Sequence, residues 1–551
     1  MNAPNHKARL LTLKVWVVLV LYALLAGLAL QVLILPHIFP QLHAGNGLLA
    51  GRDWVGFHEQ AVAHAQKIVL GGWGEFLLRP DGDNAITGVA AFFYVLFGPH
   101  PWVLLPLNGV MFATGGVALF AMLKYLDLED NEAIIALLPY LAFPSALLQY
   151  GQIHKDVFCT AGVLVTLCCW VGLLRQERQT WQIAPLLALS ALALAIVSIF
   201  RPYFMFPFLG LGVLLVLWHL GRVTWQFLQL RTAVDPSRIS VMIRFNLGSI
   251  GILMLINLFL YVMSITFIDI RMRPIPSDDV HAKVVIPLVI WQSNESVRSA
   301  DTVRILSGKE FSDDEIYADV LKQTEDSLNK INPQKKNIQV TPQMVAAARL
   351  EVQRIKAARV EAAMVKAIQE CRPVVILKEG AFFENMINRI FLKIAVARAG
   401  FTSSGGTTAA SNIDKGIDFC KNEDLIRYIP RAMQIAMFAP FPSQWMSTEK
   451  RNSSAVEIFI SSVEMFYCYI AYLGLLFWLF SYKRWTVPLL IPISFAVGLT
   501  LLLGLTVANV GTLYRMRFPF AMIYVSIGMA GLMQLAKLRP RWVDRFDSNG
   551  D

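Results

Sequence analysis

Charge is what this chain has little of. Only 16% of its 551 residues are Asp, Glu, Lys or Arg, while 56% are hydrophobic. Ordinary soluble domains carry about 25% charged residues. A chain this poor in polar groups cannot cover itself in water, and lipid is the expected solvent for most of it. Also missing are a Walker sequence, a dinucleotide fingerprint, an internal repeat and any Cys/His spacing of the zinc-binding kind. Energy from cytoplasmic ATP is therefore not indicated. Cysteine is sparse, at six residues. Cys159, Cys168, Cys169 and Cys468 lie in apolar runs and read as small buried hydrophobes. Cys371 and Cys420 lie in a polar stretch, and their spacing leaves open whether they form a disulfide. The net charge of +10 would suggest nucleic acid in a soluble protein. In an apolar chain it fits basic cytoplasmic loops that fix topology, and no nucleic-acid partner is expected.

What is present is a series of long apolar runs. The first, Val15–Leu35, follows Lys7, Arg9 and Lys14. It is longer than a cleaved signal core and reads as a retained signal anchor. Windows of about 18 residues or more give ten spans, at 15–35, 102–123, 133–150, 157–174, 183–200, 203–220, 246–267, 456–480, 486–509 and 518–536. The stretch 85–98 is too short to cross comfortably and reads as a re-entrant or interfacial helix. With the N-terminus inside, the cytoplasmic segments carry sixteen Lys/Arg and the short outer segments seven. That bias places both termini in the cytoplasm. The expected fold is an all-α polytopic membrane protein of about ten transmembrane helices with one mainly helical extracytoplasmic domain. Its parts are an N-terminal transmembrane domain at 1–268 with a first outer loop at 36–101, the outer domain at 269–455, and C-terminal helices with a tail at 456–551.

Within 269–455, Ser312–Glu315 looks like a helix start, and Thr341-Pro342 opens an Ala-rich helical stretch over 342–370. Residues 402–412 read as a flexible loop and Ala439–Trp445 as a rigid turn.

A charge at a helix end near lipid costs several kcal/mol unless solvated or paired (on the order of 3 kcal/mol on insertion scales). Several such residues fall on the outer side by this map. Asp53, His58 and Glu59 follow the first span; apolar residues at Trp54, Phe57, Ala61 and Ala65 have helical spacing, with Asp53 at the N-cap. His154, Lys155 and Asp156 lie between the third and fourth spans. Arg201 starts the sixth span, Arg515 and Arg517 precede the tenth, and Glu457 and Glu464 lie in the outer part of the eighth. Each has a plain structural explanation: a helix cap for Asp53, a snorkelling pair for Lys155–Asp156, headgroup anchors for the arginines, and an interhelical hydrogen bond for Glu464. Their common depth, against the positive-inside tendency, is the stronger signal.

The pieces RDWVGFHEQA, AAFFYVLFGPHPWVLLPLNGVM, FPSALLQYGQIHKDVFCTAGVLV, SIFRPYF and YRMRFPF occur in an order and spacing that resembles bacterial polytopic glycosyltransferases of the GT-C superfamily. The likeness is to the family-39 enzymes related to protein mannosyltransferases and aminoarabinose transferases, and it covers residues 15–220 and 500–536. The segment 411–445 looks like membrane proteins of exopolysaccharide and capsule loci. The resemblance implies transfer of a sugar from a polyprenyl-phosphate or -diphosphate carrier to a glycan or other hydroxyl acceptor, at the outer face of the bacterial inner membrane. Asp53 then holds the position of the acidic residue that acts as base or metal ligand, with Glu59 a second choice. A carboxylate can take the acceptor proton, and His58, Lys155, Arg201, Arg515 and Arg517 are the substrate-binding candidates, since cations can neutralise the departing phosphate. Some relatives carry two adjacent acids after the first span. Here Asp53 is followed by Trp54, so no metal ligand is assigned and the cofactor, including any divalent metal, stays open. The rival readings are a non-enzymatic component of polysaccharide export or assembly, and a transporter. Against the latter, no inverted halves are visible and the ionisable residues gather near one face.

Overall fold

The computed structural model describes residues 3–50, 53–80, 84–175, 180–230, 272–276, 282–287, 375–378, 382–403, 412–414, 417, 419–445, 453–480 and 487–547. The expected span at 246–267, the helix start at 312–315, the helix at 342–370 and Cys371 all lie outside them. The described residues fall into two compact units. One draws on Met1–Ile268, Ile435–Thr500 and Tyr514–Asp551, the other on Asp269–Gln434 and Leu501–Leu513. The N-terminal and C-terminal transmembrane parts therefore contribute to one unit.

In chain order the first unit has α1 (Ala3–Leu28, continuing in wider turns over Ala29–Ile38), α2 (Asp53–Gly71), α3 (Ala85–Phe97), α4 (Leu105–Tyr125), α5 (Asp130–Ala142), α6 (Pro144–Tyr150), α7 (Asp156–Arg175), α8 (Thr180–Phe200) and α9 (Met205–Leu230). The second unit has strands β1 (Met272–Pro276), β2 (Ala282–Pro287) and β3 (Val375–Lys378), then α10 (Phe382–Ser403). There follow α11 (Asn422–Phe438), α12 (Pro442–Trp445), α13 (Ser453–Phe480), α14 (Val487–Thr506), α15 (Val510–Met516) and α16 (Phe518–Asp547).

Six described helices are long and apolar enough to cross a membrane: Leu10–Ile38, Pro101–Tyr125, Asp156–Leu174, Ile460–Phe480, Leu489–Thr506 and Phe518–Lys537. A multi-pass membrane protein is the coarse result, and the count of ten spans is not reached among the described residues. Two of the ten, 183–200 and 203–220, form helices whose apolar parts, Ala184–Phe200 and Pro202–Trp218, are shorter. A third, 133–150, is not one helix: α5 and α6 meet at a 68° bend. Proline explains the break. Pro144 disfavours helical backbone at the residue before it, and Phe143 is extended, at φ −69° and ψ 122°. The stretch expected to be too short to cross forms the 13-residue helix α3.

Within the first unit α1 packs on α4, α4 on α7 and α7 on α8, while α16 packs on α13 and also meets α5. Aromatic contacts set the seams: Phe158 of α7 stacks on Phe200 of α8 at 4.4 Å, and Phe112 of α4 on Tyr140 of α5 at 4.6 Å. The Phe158–Phe200 stack brings the start of α7 beside the end of α8.

The segment 269–455 carries strands as well as helices. β1, β2 and β3 form an antiparallel sheet in that order. Thr402 and Ser403, expected in a loop, complete α10. In the second unit Arg398 of α10 is 1% exposed. It donates to the carbonyls of Ile417 (2.7 Å) and Leu505 (3.3 Å), and its guanidinium lies 4.4 Å from the Tyr428 ring centre. Asp414 accepts two bonds from Arg431 and one from the Tyr428 hydroxyl, which holds its carboxyl below the ordinary value. Cys420 is disulfide-bonded.

Candidate functional site

Polar side chains buried among apolar helices fix the loop that follows α1. Gln31 of the extended α1 donates to the Gly151 carbonyl at 2.8 Å. Asn108, near the start of α4, donates to the carbonyls of Tyr150 (3.0 Å) and Gln152 (3.1 Å). Gln152 passes the restraint on: its side chain accepts from Leu49 N–H and donates to the Gly47 carbonyl, both at 3.1 Å. Leu49 in turn accepts the indole N–H of Trp54. Unmade bonds of this kind would cost about 1–3 kcal/mol each in a buried setting, so the non-helical segment 151–155 and the loop 43–49 are pinned to each other. Trp54 is 1% exposed, which anchors the first turn of α2 and leaves Asp53 at its start.

α2 buries Trp54, Phe57, Ala61, Ala65 and Ile68, the face its spacing predicts. The Trp54 and Phe57 rings lie against the His154 ring, with centroids 6.0 and 6.4 Å away. Asp53, the first helical residue, is 56% exposed at its side chain and pairs with Arg515 Nη1 at 3.1 Å. Arg515 belongs to α15, the short helix before the last span. Its carbonyl accepts a bond from Gln149 of α6, so α6 and the residue before Met516 are tied. Burial works to raise the Asp53 carboxyl. Arg515, helped by Lys155, outweighs it and leaves the acid below its ordinary value.

Behind this pair runs a line of buried groups. Arg515 Nη1 lies 3.4 Å from His154 Nε2, and His154 Nδ1 lies 3.1 Å from Asp156 Oδ2. Asp156 Oδ1 accepts from Arg201 Nε at 2.9 Å and from Arg201 Nη2. Arg201 Nη1 reaches the Tyr203 hydroxyl at 2.5 Å. The Asp156–Arg201 pair joins the start of α7 to the end of α8, where the Phe158–Phe200 stack has brought them together. Arg79, between α2 and α3, donates to the Ser198 carbonyl at 3.2 Å and to that of Ile199, satisfying the end of α8. Lys155 donates to Asn84 Oδ1 at 2.6 Å and sits 5.8 Å from the Phe57 ring centre.

Of the residues singled out from sequence, Asp53, Lys155, Arg201 and Arg515 are thus brought into one neighbourhood. Others are not. Arg517 is buried, at 4% exposure, and faces the other way. It donates to the Ala439 carbonyl and stands 4.8 Å from the Tyr514 ring centre. Glu464, also buried, accepts from Ser145 N–H at 2.7 Å and from the Tyr514 hydroxyl, which caps the broken helix α6. It is an interhelical partner. Glu59 is exposed and lies six residues from Asp53, which rotates it by about 240° around the helix. His58, five residues on, bonds to the Tyr94 hydroxyl at 2.7 Å instead, and burial lowers its pKa.

His154 and Asp156 carry a larger part than their sequence positions suggest. The signal was present, since HKD interrupts an apolar stretch, but the pairing within it was not. Lys155 and Asp156 are neighbours in sequence and point apart. Among the described residues no group of three or more His, Cys, Asp or Glu is placed to hold a metal ion.

No protein-family model, curated protein or solved structure matches this chain. Function is therefore argued from the site itself.

Proposed function

We propose that this chain is a membrane glycosyltransferase or polymerase. It takes a sugar from a polyprenyl-phosphate or -diphosphate carrier and passes it to a hydroxyl acceptor in cell-surface polysaccharide synthesis. The site faces the outer side of the bacterial inner membrane, with both termini in the cytoplasm. The observation that carries this reading is the half-exposed Asp53 carboxylate held by Arg515 across 462 residues of sequence. An exposed acid is reachable by an acceptor, and a guanidinium beside it suits a phosphate.

The chemistry runs as a single displacement. The acceptor oxygen bonds to the anomeric carbon while the bond from that carbon to the carrier phosphate oxygen breaks. The electron pair leaves with the phosphate, and the acceptor proton passes to Asp53. Asp53 is ionised at neutral pH, and Arg515 holds its pKa below the ordinary value. That makes it a weak base at rest, since proton transfer works best near the operating pH. An arriving phosphate competes for Arg515, and the carboxylate gains basicity as its partner turns to the substrate. Lys155 is the second cation close enough to act on Asp53. Arg201 is engaged with Asp156 and Tyr203, and its part is to hold the network.

Asp53→Asn keeps the shape and removes the charge. The expected outcome is loss of glycan production by at least a hundredfold (removal of one proton-transfer group costs about 10²–10⁴), with normal membrane insertion. Wild-type polymer levels from a normally expressed Asp53→Asn protein would instead favour the non-enzymatic export role.

A further inference from the structure

The line Arg515–His154–Asp156–Arg201 contains two cations, one carboxylate and one imidazole, and the imidazole is the element with a choice. Two contacts compete at Nδ1. The Asp156 N–H lies 3.2 Å away and would donate to it, whereas the Asp156 carboxylate oxygen Oδ2 lies 3.1 Å away and would accept from it. Nε2 decides between them. It faces Arg515 Nη1 at 3.4 Å, and a guanidinium only donates. A proton on Nε2 would set donor against donor beside a positive charge. With the proton on Nδ1, the imidazole turns that proton to the Asp156 carboxylate and accepts from Arg515 at Nε2, and the Asp156 N–H gives up its contact with Nδ1.

We infer that His154 is a positioning residue, kept neutral in the Nδ1–H form by Asp156, whose Nε2 accepts from Arg515 and holds that guanidinium against Asp53. This rests on the reading of Arg515 as the phosphate-binding cation. The surroundings support it. His154 is 3% exposed at its side chain, and the Trp54 and Phe57 rings lie against it. Burial lowers its pKa, favouring the uncharged ring. The opposite flank of Asp156 is occupied by Arg201, so the carboxylate is not drawn out toward solvent. Arg515 Nη1 meets both Asp53 Oδ2, at 3.1 Å, and His154 Nε2, at 3.4 Å. His154 therefore fixes one edge of the guanidinium and leaves others to turn to an anion.

The test uses the purified full-length protein and farnesyl phosphate, a short polyprenyl phosphate, as the probe. His154→Leu is expected to weaken binding about tenfold, as loss of a hydrogen bond to a charged group does. His154→Gln, whose side-chain oxygen can take the place of Nε2, is expected to restore affinity to within about threefold of wild type. A purely structural role would not separate these two, provided both unfold cooperatively on heating. A leucine variant that binds as wild type does, or a glutamine variant as weak as leucine, overturns the inference.

A second measurement is independent of substrate. Nitrogen-15 NMR of histidine-labelled protein, with the His154 signals assigned by their loss in His154→Gln, is expected to show the neutral Nδ1–H tautomer at pH 7. An Nε2–H tautomer overturns the inference. If the wild-type protein does not bind farnesyl phosphate at all, the sugar-transfer reading fails, while the tautomer still decides the role of His154.

Discussion

Asp53 and Arg515 illustrate how little of a polar pair's behaviour depends on either residue alone. The carboxylate is 56% exposed and the guanidinium 17%. An exposed pair of this kind contributes little to stability, about 0–1 kcal/mol, so its value lies in setting the charge state of the acid. The sign is fixed by the direction of the shift. Asp53 has a folded pKa below its ordinary value of 3.8. The pair is thus intact above that value and is lost as pH falls through the depressed one. Arg515→Gln removes the largest stabiliser of the carboxylate, and burial then acts unopposed by it. The acid limb of the residual transfer activity is expected to move to higher pH, as a pH–rate profile would show; an unmoved limb would mean that Asp53 does not titrate in the reaction. Residue types made Asp53, Lys155 and Arg515 legible in the sequence. The choice between Arg515 and Arg517 was not legible. Two positions along a helical turn point to nearly opposite sides, and only the packing of α15 decides which one meets α2.

At the scale of elements, most helices could be read from their apolar runs, and the departures have local causes. The break in 133–150 follows from Pro144. It exposes backbone N–H groups inside an apolar helix pair, where water cannot serve them. Glu464 of α13 satisfies one of them through Ser145, a remedy supplied from 319 residues away and invisible in the local pattern. The seam between α13 and α16 depends on glycine. A Cβ on Gly528 would lie 2.0 Å from the Ala471 carbonyl oxygen, and one on Gly531 would lie 2.1 Å from that of Gly474. Helices in lipid associate by such close backbone approach. Gly528→Leu cannot be absorbed by a side-chain shift, because the obstacle is backbone. It is expected to destabilise by about 2–3 kcal/mol or more, seen as a lowered unfolding midpoint in detergent. An unchanged midpoint would mean that the two helices do not pack at this distance.

For the transmembrane unit as a whole, charge gathers at two levels. At one end of α4, Asn108 holds the segment that leads to His154 and Asp156. At its other end Lys124 pairs with Asp130 at 2.7 Å, and nearby Lys537 of α16 pairs with Glu132 of α5 at 2.8 Å. Sixteen residues of helix separate Asn108 from Lys124, about 24 Å, close to the thickness of a bilayer's apolar core, about 30 Å. This two-level arrangement was legible as a run of charges at span ends. Which charges pair within a level was not, because the pairing joins residues hundreds of positions apart through buried Gln31, Asn108 and Gln152, polar residues that look incidental in an apolar run. The central claim is that Asp53 and Arg515 act as one unit on a lipid-linked sugar. A double-mutant cycle on purified protein in nanodiscs, supplied with a polyprenyl-phosphate-linked sugar and a glycan acceptor, tests it most directly. Asp53→Asn and Arg515→Gln are each expected to lower turnover at least about a hundredfold, and the double variant to be no more than a few-fold worse than either, since residues acting as a unit are not additive. Losses that multiply, or full turnover by Asp53→Asn, would contradict it.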